Sequence, residues 1–334
     1  NPSSRAYHTT VNNWVIMTLD VNSVSVNQTS KTTISFNQVT NGKTTSSFNA
    51  NNIGNFNVSL SINGCGVTKT YNGVTSNGAY NVSNKFTSMG SVTVTASTYN
   101  VKLKDTIYVK SKLISSKITS LFVQIGASVS SSTVKTWVNN GVTDVYVQTT
   151  ASTGNTAKLK QVVSLCKNTN RRVHGWVICF YTGNGFDISS SRQNLVKNFI
   201  STVIRISGVD GICLDYVRYS GNNPSSVNAN KVTNFVKEVK SLMNNYDSKL
   251  ILSACVFAEG ANTKTYYGQD YAALSPYVDV MLPMAYKYDY NAGRSWLKSV
   301  TSYVVNHAKY SKVVTVLQTY KETSGGLSQL SKSE

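Results

Sequence analysis

The sequence predicts two domains of different class: an all-β sandwich over residues 1–111 and, over 112–334, an α/β barrel of the (β/α)8 TIM type that lacks its eighth strand. Three observations carry this. The first third alternates apolar and polar residues with period two between Asn-Gly pairs. Beyond it, apolar strand-like runs alternate with helical runs. The length of 334 residues also exceeds one ordinary core, on a scale of about 100–200 residues per domain.

In the first domain, Thr33–Asn37, Phe56–Ile62 and Ser91–Ala96 read as half-buried strands, with turns expected at Asn41-Gly42, Asn63-Gly64, Asn72-Gly73 and Asn77-Gly78. The pattern resembles the immunoglobulin-like modules of surface proteins. It carries little chemistry, with Asp20 and Asp105 as its acids and His8 isolated in the leading arm. The period changes around Lys110 to Ser120. Strands are then expected at 121–125, 144–148, 173–180, 208–219, 250–257, 278–284 and 313–317. Helices are expected through 134–138, 159–166, 195–204, 227–243 and 296–305. No phosphate-binding glycine loop follows the first strand, which disfavours an open nucleotide-binding sheet. After Tyr320 the residues left, 321–334, are expected to open a helix and stop, so no eighth strand is found.

Only 14% of the residues are charged, with Asn, Ser, Thr and Tyr taking the usual place of surface charge, and the formal net charge is +18. Lys and Arg are scattered singly through both domains, unlike the basic stripe interleaved with aromatics of nucleic-acid binders, so nucleic acid is not expected as a partner. A diffuse positive surface fits an acidic polymer or a cell wall. Cys65, Cys166, Cys179, Cys213 and Cys255 are odd in number and form no C-x-x-C pair, so neither a zinc site nor a disulfide framework is indicated, and no metal or cofactor is expected. No apolar run is long enough to insert in a membrane. The chain begins Asn1-Pro2-Ser3, and sequons stand at Asn27, Asn57 and Asn81. An extracellular or cell-surface protein, processed or part of a longer chain, is the expectation, with homo-assembly or neighbouring surface proteins as possible partners beside a glycan.

In a barrel of this kind chemistry sits where the strands end. Asp144, Asp210 and Asp279 fall at strand starts, whereas Asp215, Glu259, Asp187, Asp289 and Glu322 fall beyond strand ends. Asp215 shares strand parity with Gly211 and Cys213 and is expected to point inward. Glu259 follows the neighbouring strand, so the two carboxyls could stand about 5 Å apart, as a retaining glycosidase needs. Trp176, Tyr181, Tyr216, Tyr219, Tyr286, Tyr288, Tyr290 and Tyr320 gather at or beyond strand ends, where rings stack on sugars. His174, early in strand three, reads first as a buried hydrogen-bonded residue and is retained among the candidate sugar contacts.

Four blocks carry a family resemblance: G-V-D-G-I-C-L-D-Y-V-R-Y at 208–219, Leu252-Ser253 to Phe257, Tyr267-Gly268-Gln269-Asp270, and Asp279 through Pro283-Met284-Ala285-Tyr286. Together they resemble glycoside hydrolase barrels of bacterial and archaeal surfaces related to the alpha-amylase clan. The composition of the front resembles adhesin-like proteins of methanogenic archaea. The resemblance implies Asp215 as nucleophile and a strand-five Glu as acid/base, for which Glu259 is the available residue. It also implies Arg218, Tyr286 and Gln318 as lining of the sugar subsite, to which Trp176, His174, Tyr320 and Asp289 are added from their positions. The D-G-x-D-x-D-x-E pattern of chitinases is matched in part, with Cys213 and Val217 standing where it has an Asp and the catalytic Glu, which speaks against chitinase chemistry. A polysaccharide or cell-wall glycan is the expected partner, either as substrate or as the ligand of a non-catalytic adhesin.

Overall fold

The structure, a computed structural model, describes residues 4–10, 13–21, 24–40, 43–44, 55–88, 90–110, 117–225, 227–324 and 326–331. The chain divides into two compact units, residues 1–113 and 114–334.

The first unit is all-β. Its strands are β1 (Ser4–Thr10), β2 (Asn13–Val21), β3 (Val24–Ser25), β4 (Thr29–Thr40), β5 (Lys43–Thr44), β6 (Asn57–Gly64), β7 (Val67–Val74), β8 (Ala79–Lys85), β9 (Gly90–Thr98) and β10 (Val101–Lys110). One sheet runs β1-β2-β4-β5 with β8 also on β4, and the other runs β3-β10-β9-β6-β7. Every second residue of β6 and β9 is buried, as period two requires, and these side chains join Val15, Met17, Leu19, Ile34 and Phe36 in one apolar core.

The turns are less regular than their sequence signals. Asn77-Gly78 makes a two-residue turn, with φ of 49° and 74°. Asn63-Gly64 does not: β6 runs on through Gly64, and the reversal falls on Cys65 and Gly66, at φ 51° and 83°. Asn72-Gly73 lies inside β7, where glycine serves proximity, since a Cβ at Gly73 would stand 2.2 Å from the Tyr80 ring. The Asn41-Gly42 turn and the domain boundary lie outside the described residues.

The second unit is a parallel sheet with a helix after almost every strand. The strands are β11 (Ser120–Val123), β12 (Asp144–Thr149), β13 (Arg172–Ile178), β14 (Gly211–Asp215), β15 (Ile251–Phe257), β16 (Val280–Ala285), β17 (Lys312–Val313) and β18 (Val316–Leu317). They pair in chain order from β11 to β17, and β17 and β18 both pair with β16 as two pieces of the seventh position. The helices are α1 (Ser131–Asn139), α2 (Ala157–Cys166), α3 (Ser190–Val203), α4 (Asn228–Tyr246), α5 (Asn262–Tyr267), α6 (Tyr271–Leu274) and α7 (Arg294–His307). Among the described residues β11 is not paired with β17 or β18, so the barrel is open between its first and last strands. Where the sequence led us to expect a helix beyond Tyr320, the chain forms an antiparallel hairpin of β19 (Tyr320–Thr323) and β20 (Gly326–Gln329). Gly326, at φ 107°, supplies a backbone conformation that helix residues do not use.

Two apolar layers line the sheet. The larger packs outward-facing residues such as Val145, Val177, Ile212, Leu214, Leu252 and Met281 against the helices. The smaller, with Tyr146, Cys213, Cys255 and Leu282, fills the concave side and is joined by Phe122, Trp176 and Met284. Burial of both faces accounts for the near-continuous apolar strands in the sequence. The interior is tight at β14, where a Cβ on Gly211 would lie 2.1 Å from the Ile251 carbonyl oxygen and 2.8 Å from His174 Nδ1.

Candidate active site

β14 sends Ile212 and Leu214 outward and Cys213 inward, where its Sγ lies 3.7 Å from that of Cys255. The same alternation brings Asp215, the last residue of the strand, to the inner side at 7% exposure. Both carboxyl oxygens accept from neutral donors, Oδ2 from Trp176 Nε1 at 2.9 Å and Oδ1 from the Tyr216 backbone N–H at 2.7 Å. Burial pushes the Asp215 pKa up. The two hydrogen bonds and the positive charge of Arg218 oppose that shift without cancelling it.

The alternation breaks one residue later. Tyr216 has φ 50°, a left-handed conformation that costs a non-glycine residue roughly 1–2 kcal/mol. The break puts Val217 with Ile212 and Leu214 in the outer core, fully buried, instead of on the inner side where strict alternation would leave it. Position 217, where the chitinase pattern has its catalytic Glu, therefore holds an apolar side chain that faces away from the site. Asp215 is the last inward group of the strand.

Arg218 follows. Its guanidinium carbon stands 4.5 Å from the ring centre of Phe257, 4.6 Å from Phe186, 5.2 Å from Tyr216 and 5.6 Å from Tyr267. Nη1 donates to the Tyr219 carbonyl at 2.9 Å. Burial lowers the Arg218 pKa, although the group remains a cation at any ordinary pH. Glu259, beyond β15, uses Oε1 to accept from the hydroxyls of Tyr267 at 3.1 Å and Tyr290 at 2.9 Å. Burial first, and then this bond to a carboxylate, pushes the Tyr290 hydroxyl far up. Asp215 and Glu259 thus belong to separate hydrogen-bonded groups, and the groups that act on Asp215 are Trp176, Tyr216 and Arg218. No hydrogen bond links the two carboxyls, each of which is held by its own donors.

The other expected residues divide. Trp176 touches Asp215 directly. Tyr286, beyond β16, has its hydroxyl pushed well up, by burial first and then by charges that include Asp215, so it belongs to the same inner space. Gln318 is 7% exposed and holds the rim: Oε1 accepts from the Tyr288 N–H and Nε2 donates to Asp289 at 2.6 Å. Asp289 is therefore engaged with Gln318, and Tyr320 is half-exposed at the start of the terminal hairpin.

His174 is a correction. It pairs in register with Gly211, four residues before the Ile178–Asp215 pair, or about 13 Å along the strand. Its ring is fully buried, with Nε2 2.8 Å from Asp144 Oδ1 and the ring centre 4.9 Å from that of Tyr146. It belongs to the end where the strands begin.

Three participants were passed over in the sequence. Phe186 and Phe257 form part of the Arg218 cage, and Gln269 is buried beneath it. Gln269 Oε1 accepts from the Phe257 N–H, while Nε2 donates to the carbonyls of Cys255 and Val217, tying β15 to the loop after β14. Phe257 and Gln269 fall inside two of the four motif blocks, so the sequence carries a signal for them. Phe186 reaches the cage from the loop after β13 and had none. Among the described residues no group of His, Cys, Asp and Glu could hold a metal ion.

A βα barrel with a buried carboxyl at the end of its fourth strand and aromatic rings around it has the layout of a carbohydrate-active barrel. The family profile Glycosyl hydrolases family 18 matches residues 101–332, and the chain belongs to that family. No curated protein matches by sequence. Among solved structures, a class V chitinase from Pseudomonas fluorescens Pf-5 aligns with 64% of this chain and 72% of its own at 18% identity and a TM-score of 0.50. A chitinase from Trichuris suis aligns with 60% of this chain and 65% of its own, at 12% identity and a TM-score of 0.45. A calcium-binding mutant of beta-glucuronidase 2 from Bacteroides uniformis aligns with 90% of this chain, which spans only 39% of it, at 9% identity and a TM-score of 0.44. These likenesses concern the fold. The alpha-amylase-clan likeness of the four blocks gains no support from them, and neither does the adhesin reading.

Proposed function

We propose that the second unit hydrolyses glycosidic bonds in a polysaccharide, with Asp215 delivering a proton to the leaving oxygen. One observation carries this: Asp215 is the buried carboxyl at the end of β14, held by neutral donors and with its pKa raised. A carboxyl in such a place stays protonated to higher pH than an ordinary one, which suits a general acid better than a nucleophile. This reverses the role that the sequence blocks implied.

A mechanism in which Glu259 stays engaged with Tyr267 and Tyr290 is compatible with the family. Family 18 glycosidases use an acetamido group of the substrate in place of a protein nucleophile, so one protein carboxyl suffices. A sugar bearing a 2-acetamido group is therefore the substrate class that fits. Trp176 orients the acid through its indole N–H, and Tyr286 adds a phenol kept protonated by burial, able to donate to a sugar hydroxyl. Glu259, between two tyrosine hydroxyls, positions the rim.

The sequons and the polar, Asn- and Thr-rich front support a secreted or surface-held protein whose first unit is an immunoglobulin-like carrier. The test is hydrolysis of amino-sugar polysaccharides by the intact chain and by Asp215→Asn. Reducing ends released by the wild type and lost in the variant support the reading. Glycan binding without any release by the wild type would leave a binding module.

A further inference from the structure

We infer that the site takes an acidic polysaccharide and that Arg218 receives the carboxylate of a uronic acid residue beside the bond whose leaving oxygen Asp215 protonates. This rests on the hydrolase reading of the site and adds the charge of its substrate.

Arg218 makes no ion pair with a carboxylate of the described residues, although its charge acts on Asp215. Its bonds and contacts are four aromatic rings and one carbonyl, that of Tyr219. No carboxylate of the described residues lies within the 4.0 Å of an ion pair. Elsewhere in the unit Arg172 pairs with Asp144 at 2.7 Å and Lys240 with Asp279 at 2.6 Å, and the buried Arg192, which has no ion pair, spends three of its nitrogens on the Cys179 and Ile178 carbonyls and Ser152 Oγ, whereas Arg218 makes one such bond. The carboxyls nearest in the chain to the Arg218 cage are already engaged, Asp215 by Trp176 and Tyr216, and Glu259 by Tyr267 and Tyr290.

A guanidinium has five N–H donors in a flat fork that matches a carboxylate with two parallel bonds, and here one bond is made within the protein. The ring faces hold the fork in place while leaving its donors unused, because they attract the cation without accepting its N–H groups in the plane. The wider field has the same sign. Lys287, on the loop after the sixth strand, and Lys321, in β19, both stand over the Tyr288 ring, at 4.6 and 5.7 Å. Residues 112–334 carry 24 Lys and Arg against 12 Asp and Glu. The field draws in a polyanion, and the caged guanidinium reads one sugar of it.

The test uses the full chain and two probes: a polysaccharide alternating N-acetylhexosamine with a uronic acid, and the same polymer with its carboxyls reduced to alcohols. Dissociation constants are measured for the wild type, Arg218→Lys and Arg218→Met at low and high salt, with melting temperatures to establish folding. The wild type is expected to prefer the acidic form by at least about tenfold, Arg218→Met to bring the ratio near one, and Arg218→Lys, which keeps the charge but loses the fork, to fall between. A wild-type ratio near one overturns the inference. So does a preference that salt abolishes but Arg218→Met does not change, which is the general field alone. Hydrolysis of both polymers at equal rates overturns it and leaves the hydrolase reading standing, whereas acid-selective binding with no hydrolysis of either defeats the hydrolase reading alone.

Discussion

Where the strands of the barrel begin, Asp144 is bonded to Arg172 and His174, and Asp279 to Lys240. Where they stop, Asp215 and Glu259 are bonded to an indole, a backbone N–H and two phenols. The same residue type is thus driven in opposite directions. Burial opposes the charge of Asp144, but bonds from Arg172, His174 and Thr143 hold its pKa far below the usual range, while Asp215, buried and given only neutral donors, is pushed up. A carboxyl locked as an anion secures the sheet; a carboxyl kept close to neutral can give up a proton. Parallel barrels in general keep stability at one face and chemistry at the other, and here the choice of partners is the means.

The contrast can be broken at either end. Asp215→Asn is expected to lower hydrolysis by about 10²–10⁴-fold, the usual worth of a general acid, in a chain whose circular dichroism is unchanged. A variant with wild-type rates would move the chemistry elsewhere. Val217→Glu restores the residue of the chitinase pattern, yet it puts an unpaired carboxylate into the outer core. A loss of about 3–5 kcal/mol of stability is expected, with no gain in rate, by urea unfolding and activity assay. Asp144→Ala is expected to cost about as much, since it strands His174 and Arg172, while the rate per folded molecule is unchanged.

The pH dependence sharpens the same comparison. Asp144 has a lowered folded pKa, so its contribution is present above the unfolded value of about 3.9 and is lost as pH falls through the folded value. Asp215 has a raised one and binds more protons folded than unfolded, so stability declines as pH rises from about 3.9 through its folded value. Urea unfolding against pH is expected to lose the acid slope in Asp144→Asn and the opposite slope in Asp215→Asn. If Asp215 is the proposed general acid, it is expected to set the alkaline limb of activity. Because Arg218 holds the Asp215 pKa down, Arg218→Met is expected to move the limb of the residual kcat/KM to higher pH. Glu259→Gln, the smallest effect, is expected to cost less than about tenfold, because the amide oxygen still accepts from Tyr267 and Tyr290. A loss as large as that of Asp215→Asn would restore the two-carboxylate mechanism.

The strands and helices of the barrel were legible because their signals are local and periodic. Gly211, Cys213 and Asp215 share a face of β14 for the reason that alternate residues of any strand do, and strand ends could be read from where apolar runs give way to Gly, Asn and Pro. The Asn-Gly pairs were less informative. Gly73 is set by the ring of Tyr80 across the sheet, a partner that no local pattern names. His174 could be read as buried, but the partner that fixes it, Asp144, comes from the preceding strand.

The sequence by itself determined that a parallel barrel would carry Asp215 to the inner end of its fourth strand, because chain order and period two are properties of the chain alone. Only the tertiary structure decided that Val217 turns away from the site, since one left-handed residue, Tyr216, reverses the alternation. Only it decided that Arg218 sits without a carboxylate among Phe186, Tyr216, Phe257 and Tyr267. The charge state of a side chain depends on what surrounds it in space, and these rings come from two loops, a helix end and a strand end that meet only when the barrel folds.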